Sequence, residues 1–131
     1  MTKKIKVLVV DDEEFNLDIM TDYLEDAGFT VVQANDGDVA MQKLADISDI
    51  DVIILDRMMP RMNGMEVLEK IGANPKLRCI PVIMQSGAAS DEQIFEGKLA
   101  GVYAYLPKPF DAAMLVWGVQ AAVKDYKKSA G

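Results

Sequence analysis

Residues 51–56 read Asp-Val-Ile-Ile-Leu-Asp, and this stretch decides the fold. Its four central residues are all apolar, so an extended strand there has two hydrophobic faces. A strand with one solvated face alternates polar and apolar side chains, whereas a strand covered by helices on both sides does not. The stretch therefore predicts a buried parallel strand, with the carboxylate of Asp56 at its end.

In the rest of the chain, apolar runs of strand length alternate with segments that have helical spacing. Further strands are predicted at residues 5–10, 29–34, 80–85 and 103–106. Helices are predicted at residues 14–27, 38–47, 64–71 and 91–99 and after Asp111, with Asn63 and Ser90 as N-caps. In the first helix, Phe15, Ile19, Tyr23 and Leu24 form the expected apolar stripe. Five such units predict one domain over residues 1–131, an open doubly wound α/β fold with a core at about 5–123 and a tail at 126–131.

Composition excludes several kinds of protein. The chain has 131 residues, no histidine and a formal net charge of −7. The usual zinc sites, histidine catalysis and a broad nucleic-acid-binding face are therefore not expected. No apolar run is long enough to cross a membrane, and no signal peptide is recognisable, so we expect a cytoplasmic protein. The single cysteine, Cys79, has apolar neighbours and is expected to be buried and structural.

Polar residues stand at the ends of four of the predicted strands. They are Asp11 with Asp12, Asp56, Ser86 and Lys108. The carboxyl ends of parallel strands meet at one edge of the sheet, where sites of this architecture lie. Taken singly, each residue has an ordinary structural explanation as a helix cap, a turn residue or a loop residue. The joint pattern is much harder to explain in that way.

The chemistry of such a cluster is specific. Three converging carboxylates repel one another, and Mg²⁺, which prefers oxygen ligands, relieves that repulsion. A carboxylate beside the ion can attack a phosphorus atom and form an acyl phosphate, while a lysine neutralises the transferring group.

The chain resembles the receiver domain of two-component response regulators, in the stand-alone form found among chemotaxis regulators. The resemblance rests on four strings, and their order and spacing match the family over most of the chain. The strings are Val-Val-Asp-Asp-Glu at residues 9–13, Asp-Arg-Met-Met-Pro-Arg-Met-Asn-Gly at 56–64, Gln-Ser-Gly at 85–87 and Leu-Pro-Lys-Pro-Phe at 106–110. It implies a flavodoxin-like fold, with five parallel strands in the order 2-1-3-4-5.

The resemblance also implies a role for each residue of the site. Asp56 would accept a phosphoryl group from a phosphohistidine on a sensor histidine kinase or a histidine phosphotransfer protein. Asp12, Asp56 and the backbone carbonyl of Met58 would bind Mg²⁺ directly, and Asp11 would act through bound water. Lys108 would pair with the phosphoryl group, or with Asp56 before phosphorylation.

Further implied roles concern the response to phosphorylation. Ser86, where the family more often has Thr, would move toward the phosphate, and Tyr105 would turn inward. The Lys108–Pro109 peptide bond would be cis. The face formed by the fourth helix, fifth strand and fifth helix would then carry the signal to a downstream protein. No direct contact with nucleic acid or insertion into a membrane is implied.

Two aromatic residues and two apolar ones have weaker assignments. Trp117 falls off the apolar face of the last helix; it either covers the edge of the core or forms a partner surface with Tyr103. Met58 and Ala88, which lie two residues after Asp56 and Ser86, offer no polar group to position a hydrolytic water. We therefore expect slow loss of the phosphoryl group and no turnover catalysis.

Two alternatives stay open at this point. A small-molecule phosphotransferase or phosphatase with an aspartyl nucleophile usually carries a second carboxylate two residues later, where this chain has Met58. A degenerate receiver that only binds partners is the other alternative, although the acidic residues and Lys108 are all present. The sequence does not name the kinase, the output partner or the oligomeric state, or say whether the domain is free-standing or cut from a longer regulator.

Overall fold

The computed structural model describes residues 4–87, 90–108 and 110–130. Its elements follow the predicted alternation: β1 (Lys6–Val10), α1 (Glu14–Asp26), β2 (Thr30–Ala34), α2 (Gly37–Asp46), β3 (Val52–Asp56), α3 (Gly64–Ala73), β4 (Val82–Ser86), α4 (Asp91–Leu99), β5 (Ala104–Pro107) and α5 (Ala112–Ala130). The five strands form one parallel sheet in the order β2-β1-β3-β4-β5. The predicted fold class and strand order are confirmed.

The central position of β3 explains its composition. All five of its residues are buried, and each face of the sheet packs against helices. Ile53 and Leu55 belong to the core cluster under α2 and α3, whereas Val52 and Ile54 belong to the cluster under α1 and α5. The strand is therefore covered on both sides, as its uninterrupted apolar sequence predicts.

Helix caps agree with the sequence. Asn63 and Ser90 each form a capping box, with Glu66 and Gln93 respectively. The carboxylate of Asp111 accepts a hydrogen bond from the backbone N–H of Met114 at 2.8 Å, at the start of α5. Side chains that cap a helix satisfy backbone donors that have no partner within the helix, so these residues set where α3, α4 and α5 begin.

Several boundaries and one stripe differ from prediction. α3 continues past Gly72 to Ala73, and α5 continues to Ala130, through most of the predicted tail. In α1 the buried row is Leu17, Met20 and Leu24, whereas Phe15 is exposed. The predicted stripe was thus wrong at Phe15, which lies in the first turn beyond the edge of the sheet.

Cys79 corrects a second expectation. The thiol is exposed, not buried. The chain turns at residues 75–79, and this turn buries Leu77 while directing Cys79 outward. Apolar neighbours in sequence do not specify burial in a turn, because a turn has no regular period that places neighbouring side chains on one face.

None of the helices in the described part of the chain combines the length and the apolar character that crossing a membrane requires.

Candidate functional site: an acidic cluster with a lysine

The carboxyl edge of the sheet brings together the acidic residues predicted from sequence. Asp11 follows β1, Asp56 ends β3, and Asp12 stands beside Asp11. One carboxylate oxygen from each residue lies within 4.8 Å of the other two. Asp11 and Asp56 are buried, whereas Asp12 is exposed to solvent. The cluster is therefore open on one side, as a site for a hydrated ion and an incoming substrate requires.

Lys108 completes this cluster from the loop after β5. Its Nζ lies 3.3 Å from Oδ2 of Asp11 and 3.4 Å from Oδ1 of Asp56. The backbone N–H of Lys108 donates to the carbonyl of Ser86, which connects this loop to the end of β4. A single ammonium group thus bridges two buried carboxylates.

The electrostatics of Asp56 follow from this arrangement. Burial, and then the negative charge of Asp11, raise the pKa of Asp56 to about 6, although Lys108 and the backbone N–H of Met58 act in the opposite direction. Burial alone would lower the pKa of Lys108, but the charges of Asp56 and Asp11 more than compensate, so this pKa is raised. The site keeps its lysine charged and carries excess negative charge that a cation would relieve.

The backbone around Asp56 is shaped for close packing. The N–H of Met58 donates to Oδ1 of Asp56 at 3.3 Å, so the loop folds back on the carboxylate. Gly64 begins α3 against the same backbone, and a Cβ at this position would lie 2.5 Å from the carbonyl oxygen of Asp56. This close approach is a physical reason for the glycine that ends the residue 56–64 string.

Ser86 and Tyr105 lie on neighbouring strands at the same edge. Ser86 is buried at the end of β4 and pairs in register with Pro107 of β5. The hydroxyl of Tyr105 donates to the carbonyl of Gln93 in α4 at 3.0 Å. Ser86 thus lies at the sheet edge that carries the acidic cluster, and Tyr105 contacts α4. The predicted cis-proline, Pro109, and Ala88 lie outside the described residues.

The two candidate partner-surface aromatics differ in environment. Trp117 is 72% exposed, and it lines a groove of about 500 Å³ between β5 and α5. Tyr103 donates its hydroxyl to Asp125, and this hydrogen bond is the main cause that raises the pKa of Tyr103 to about 12. Its ring also packs edge-on against Tyr126. Trp117 therefore does not cover the core, whereas Tyr103 is already engaged within the fold.

Sequence reasoning missed two residues beside the cluster. Arg57 hydrogen bonds through its guanidinium to Tyr105 and Glu96. Gln85, which pairs in register with Asp56, is fully buried, and within the described part of the chain neither polar atom of its side chain has a hydrogen-bond partner. Arg57 was visible in the 56–64 string, but nothing in one sequence shows which way its side chain turns.

Comparison with known proteins agrees with the geometry. Residues 7–120 match the family model described as the response regulator receiver domain. The chain is 40% identical over 116 residues to chemotaxis protein CheY-3 of Vibrio cholerae, and the alignment covers 88% of each protein. It is also similar to the transcriptional regulatory protein CpxR of Escherichia coli, at 35% identity over 91% of this chain but 49% of that longer protein.

The solved structures give the same result. The chemotaxis response regulator CheY4 of Vibrio cholerae superposes with a TM-score of 0.87 at 33% identity, and the alignment covers 92% of this chain and 99% of that one. The superposition extends over nearly the whole length of both chains, so it includes the sheet edge that carries the acidic cluster.

Proposed function

Because this chain belongs to the response regulator receiver domain family, whose members are phosphorylated on an aspartate in two-component signalling, we propose that Asp56 is the phosphoryl acceptor. One observation carries the proposal: the bridge that Lys108 makes between Asp11 and Asp56. With Asp12, whose carboxylate lies within 4.8 Å of the other two, these residues would provide the nucleophile, a cation for the phosphoryl oxygens and two further acidic ligands. Membership of a family of signalling domains also argues against the small-molecule phosphatase alternative.

The residues present fit Mg²⁺. All the side-chain donors are hard carboxylate oxygens, and burial together with the charge of Asp11 raises the pKa of Asp56, so a cation beside this carboxylate would stabilise its charged form. Asp12, Asp56 and the carbonyl of Met58 would hold the ion directly, with Asp11 acting through water. When bound, Mg²⁺ supplies charge neutralisation for the phosphoryl oxygens.

The proposed reaction is transfer from a phosphohistidine on a histidine kinase or phosphotransfer protein. An oxygen of Asp56 forms a bond to phosphorus as the phosphorus–nitrogen bond of the donor breaks, and the donor imidazole, already protonated on its other ring nitrogen, leaves as the neutral base. Lys108 pairs with the transferred group, and Ser86 donates a hydrogen bond to it. The remaining step is conformational, because Ser86 and Tyr105 change the relative stability of two arrangements of the output face.

The output face is supported by its exposed apolar side chains. Phe95 and Leu99 of α4 and Met114 and Trp117 of α5 are large, hydrophobic and exposed. Isolated exposed apolar residues are ordinary, but four on two elements that flank one strand form a surface suited to a protein partner. The cytoplasmic location stays a prediction, and the sequence does not indicate which process is controlled.

The decisive test is phosphorylation by a small donor. We expect acetyl phosphate and Mg²⁺ to add one phosphoryl group, detected by intact mass, and expect no addition to Asp56→Asn. Asp36→Asn is a matched control, because Asp36 is a partly buried acid that caps α2 outside the pocket. Failure of the wild-type protein to gain a phosphoryl group at any Mg²⁺ or donor concentration would favour the degenerate receiver instead.

A further inference from the structure

Helix α4 is weakly anchored to the domain. Among its residues whose side chains are described, only Gly97 is buried, and Phe95 and Leu99 face solvent. Burial of apolar surface is the main source of helix docking energy, and α4 buries little of it. Its position therefore depends strongly on specific ties to neighbouring elements.

Two of those ties meet at Arg57. Its Nη1 donates to the hydroxyl of Tyr105 at 2.7 Å, and its Nη2 lies 3.2 Å from Oε2 of Glu96 in α4. The Tyr105 hydroxyl in turn donates to the carbonyl of Gln93 in α4. The Tyr105 ring covers Gly97 so closely that a Cβ there would overlap it. One guanidinium thus holds both α4 and the tyrosine that packs on it.

The backbone of Arg57, in the loop after Asp56, is held between β4 and α3. It directly follows Asp56, its N–H donates to the carbonyl of Gln85 in β4, and its carbonyl accepts from the N–H of Gly64 in α3. The Arg57 side chain is 12% exposed, so solvent weakens its part-buried hydrogen bond to Tyr105 only partly, whereas Glu96 is 51% exposed and its pair with Arg57 resembles a surface ion pair. The planar guanidinium contacts Tyr105 and Glu96 together, so this loop, Tyr105 and α4 are connected through one side chain.

We propose that Arg57 is a positioning residue of the switch, which ties Tyr105 and α4 to the loop that follows Asp56, so that a phosphoryl group on Asp56 is sensed at α4 through one guanidinium. This inference rests on the proposed function of Asp56. It adds a polar route to the movements of Ser86 and Tyr105 that the family resemblance implies.

Amide chemical shifts can test the route with beryllofluoride, an unreactive phosphoryl analogue, in the presence of Mg²⁺. In wild-type protein we expect shifts at the loop amides of Met58 and Met59 and at the α4 amides of Gln93 and Gly97. In Arg57→Ala the loop shifts persist, whereas the α4 shifts fall by more than half. Arg57→Lys should restore part of the α4 response, because an ammonium can satisfy Tyr105 or Glu96 but not both in the same geometry.

Two further variants make the result specific. Arg61→Ala is the matched control, because Arg61 lies in the same loop and pairs with Asp36 at 3.3 Å but makes no described contact with α4. It should respond like the wild type. Tyr105→Phe removes only the hydroxyl and should reduce the α4 shifts as Arg57→Ala does, which also covers the case that Arg57→Ala folds poorly.

The outcomes separate the two proposals. Full α4 shifts in Arg57→Ala would overturn the positioning role, and so would a weaker beryllofluoride affinity with unchanged α4 shifts, since that pattern indicates direct contact with the phosphoryl group. Absence of loop shifts in the wild-type protein would overturn the proposed function of Asp56, and this inference with it.

Discussion

The ammonium group of Lys108 lies 3.4 Å from the carboxylate of Asp56. This distance is short enough for the lysine to contact a phosphoryl group built on that carboxylate, where it would offset charge that develops during transfer. Lys108 also belongs to the loop that is connected to the end of β4 through the Ser86 carbonyl. Lys108 thus connects the β5–α5 loop to β4 through its backbone, and its side chain is the group that we propose assists the transfer step.

Replacing Lys108 by Met should slow phosphorylation more than it affects Mg²⁺ binding. The change removes the cation but keeps most of the apolar stem. We expect the rate with acetyl phosphate to fall by about 100- to 1,000-fold, the range for loss of one charge-stabilising group. Stopped-flow fluorescence of the single tryptophan, or timed intact mass, measures the rate. Lys98→Met, on the exposed side of α4, is the control, and an unchanged rate in Lys108→Met would contradict the assignment.

Metal-free stability should depend on pH through Asp56. Its pKa is about 6 in the folded protein against an ordinary value of 3.8, so the folded state holds the proton more tightly than the unfolded state. Stability from this group is therefore complete below about pH 4 and is lost as pH rises through 6. Asp56→Asn, which cannot ionise, should be more stable than wild type at pH 7.5 by on the order of 2 kcal/mol, and equally stable near pH 4.

Denaturant unfolding in EDTA at the two pH values measures this difference. Because the comparison is between two variants, titrating groups that do not interact with Asp56 cancel. Added Mg²⁺ should stabilise the wild type and leave Asp56→Asn nearly unchanged. A difference that grows as pH falls would have the wrong sign and would refute the account of Asp56.

The cost of burying the Gln85 amide, which has no hydrogen-bond partner among the described residues, can be measured separately. This amide lies in the core, and an unpaired buried polar group costs about 1–3 kcal/mol. Gln85→Met keeps the shape and removes the polar atoms, so we expect a gain of about 1–2 kcal/mol in the free energy of unfolding. Gln33→Met is the control, because the Gln33 amide donates to Thr21 Oγ1 at 2.7 Å, and its loss should not stabilise the protein. A destabilised Gln85→Met would show that the amide is satisfied.

The sequence was sufficient for the fold because both the periodicity and the caps are local signals. The continuous apolar run before Asp56 predicted a strand buried on both faces, and Asn63 and Ser90 predicted the starts of α3 and α4. The same logic placed Asp11, Asp56 and Lys108 at one edge, since parallel strands share their carboxyl end.

Other features depend on tertiary packing that a single sequence does not contain. The exposure of Phe15 and Cys79 depends on where the sheet ends and how a turn is oriented. Arg57 is separated from Glu96 by 39 positions and from Tyr105 by 48 positions, so no local sequence pattern relates the members of this network. Long side chains such as arginine have many rotamers, so only the folded environment selects one.

Trp117 should report partner docking. It is the only tryptophan and is 72% exposed, so Trp117→Ala should change stability by no more than about 0.5 kcal/mol. We expect its emission to shift to the blue when a cognate partner binds, and expect the alanine variant to weaken that binding by at least about tenfold, as a buried aromatic anchor would. Titration calorimetry with partners captured by the phosphorylated domain measures the affinity. Unchanged affinity for every such partner would exclude Trp117 from the interface.

The lifetime of the phosphoryl group should be set partly by Met58. Its backbone N–H faces Asp56, but its side chain is 70% exposed and has no group that can orient water toward phosphorus. Met58→Asn introduces an amide at the mouth of the pocket and should accelerate loss of the phosphoryl group by about tenfold, below the usual contribution of a well-placed acid–base group. Decay of phosphorylated protein after removal of the donor, followed by intact mass, gives the rate. Met114→Asn, an exposed methionine on α5, should leave it unchanged. Loss within seconds from the wild-type protein would mean that water is already positioned by other groups, and that Met58 does not limit hydrolysis.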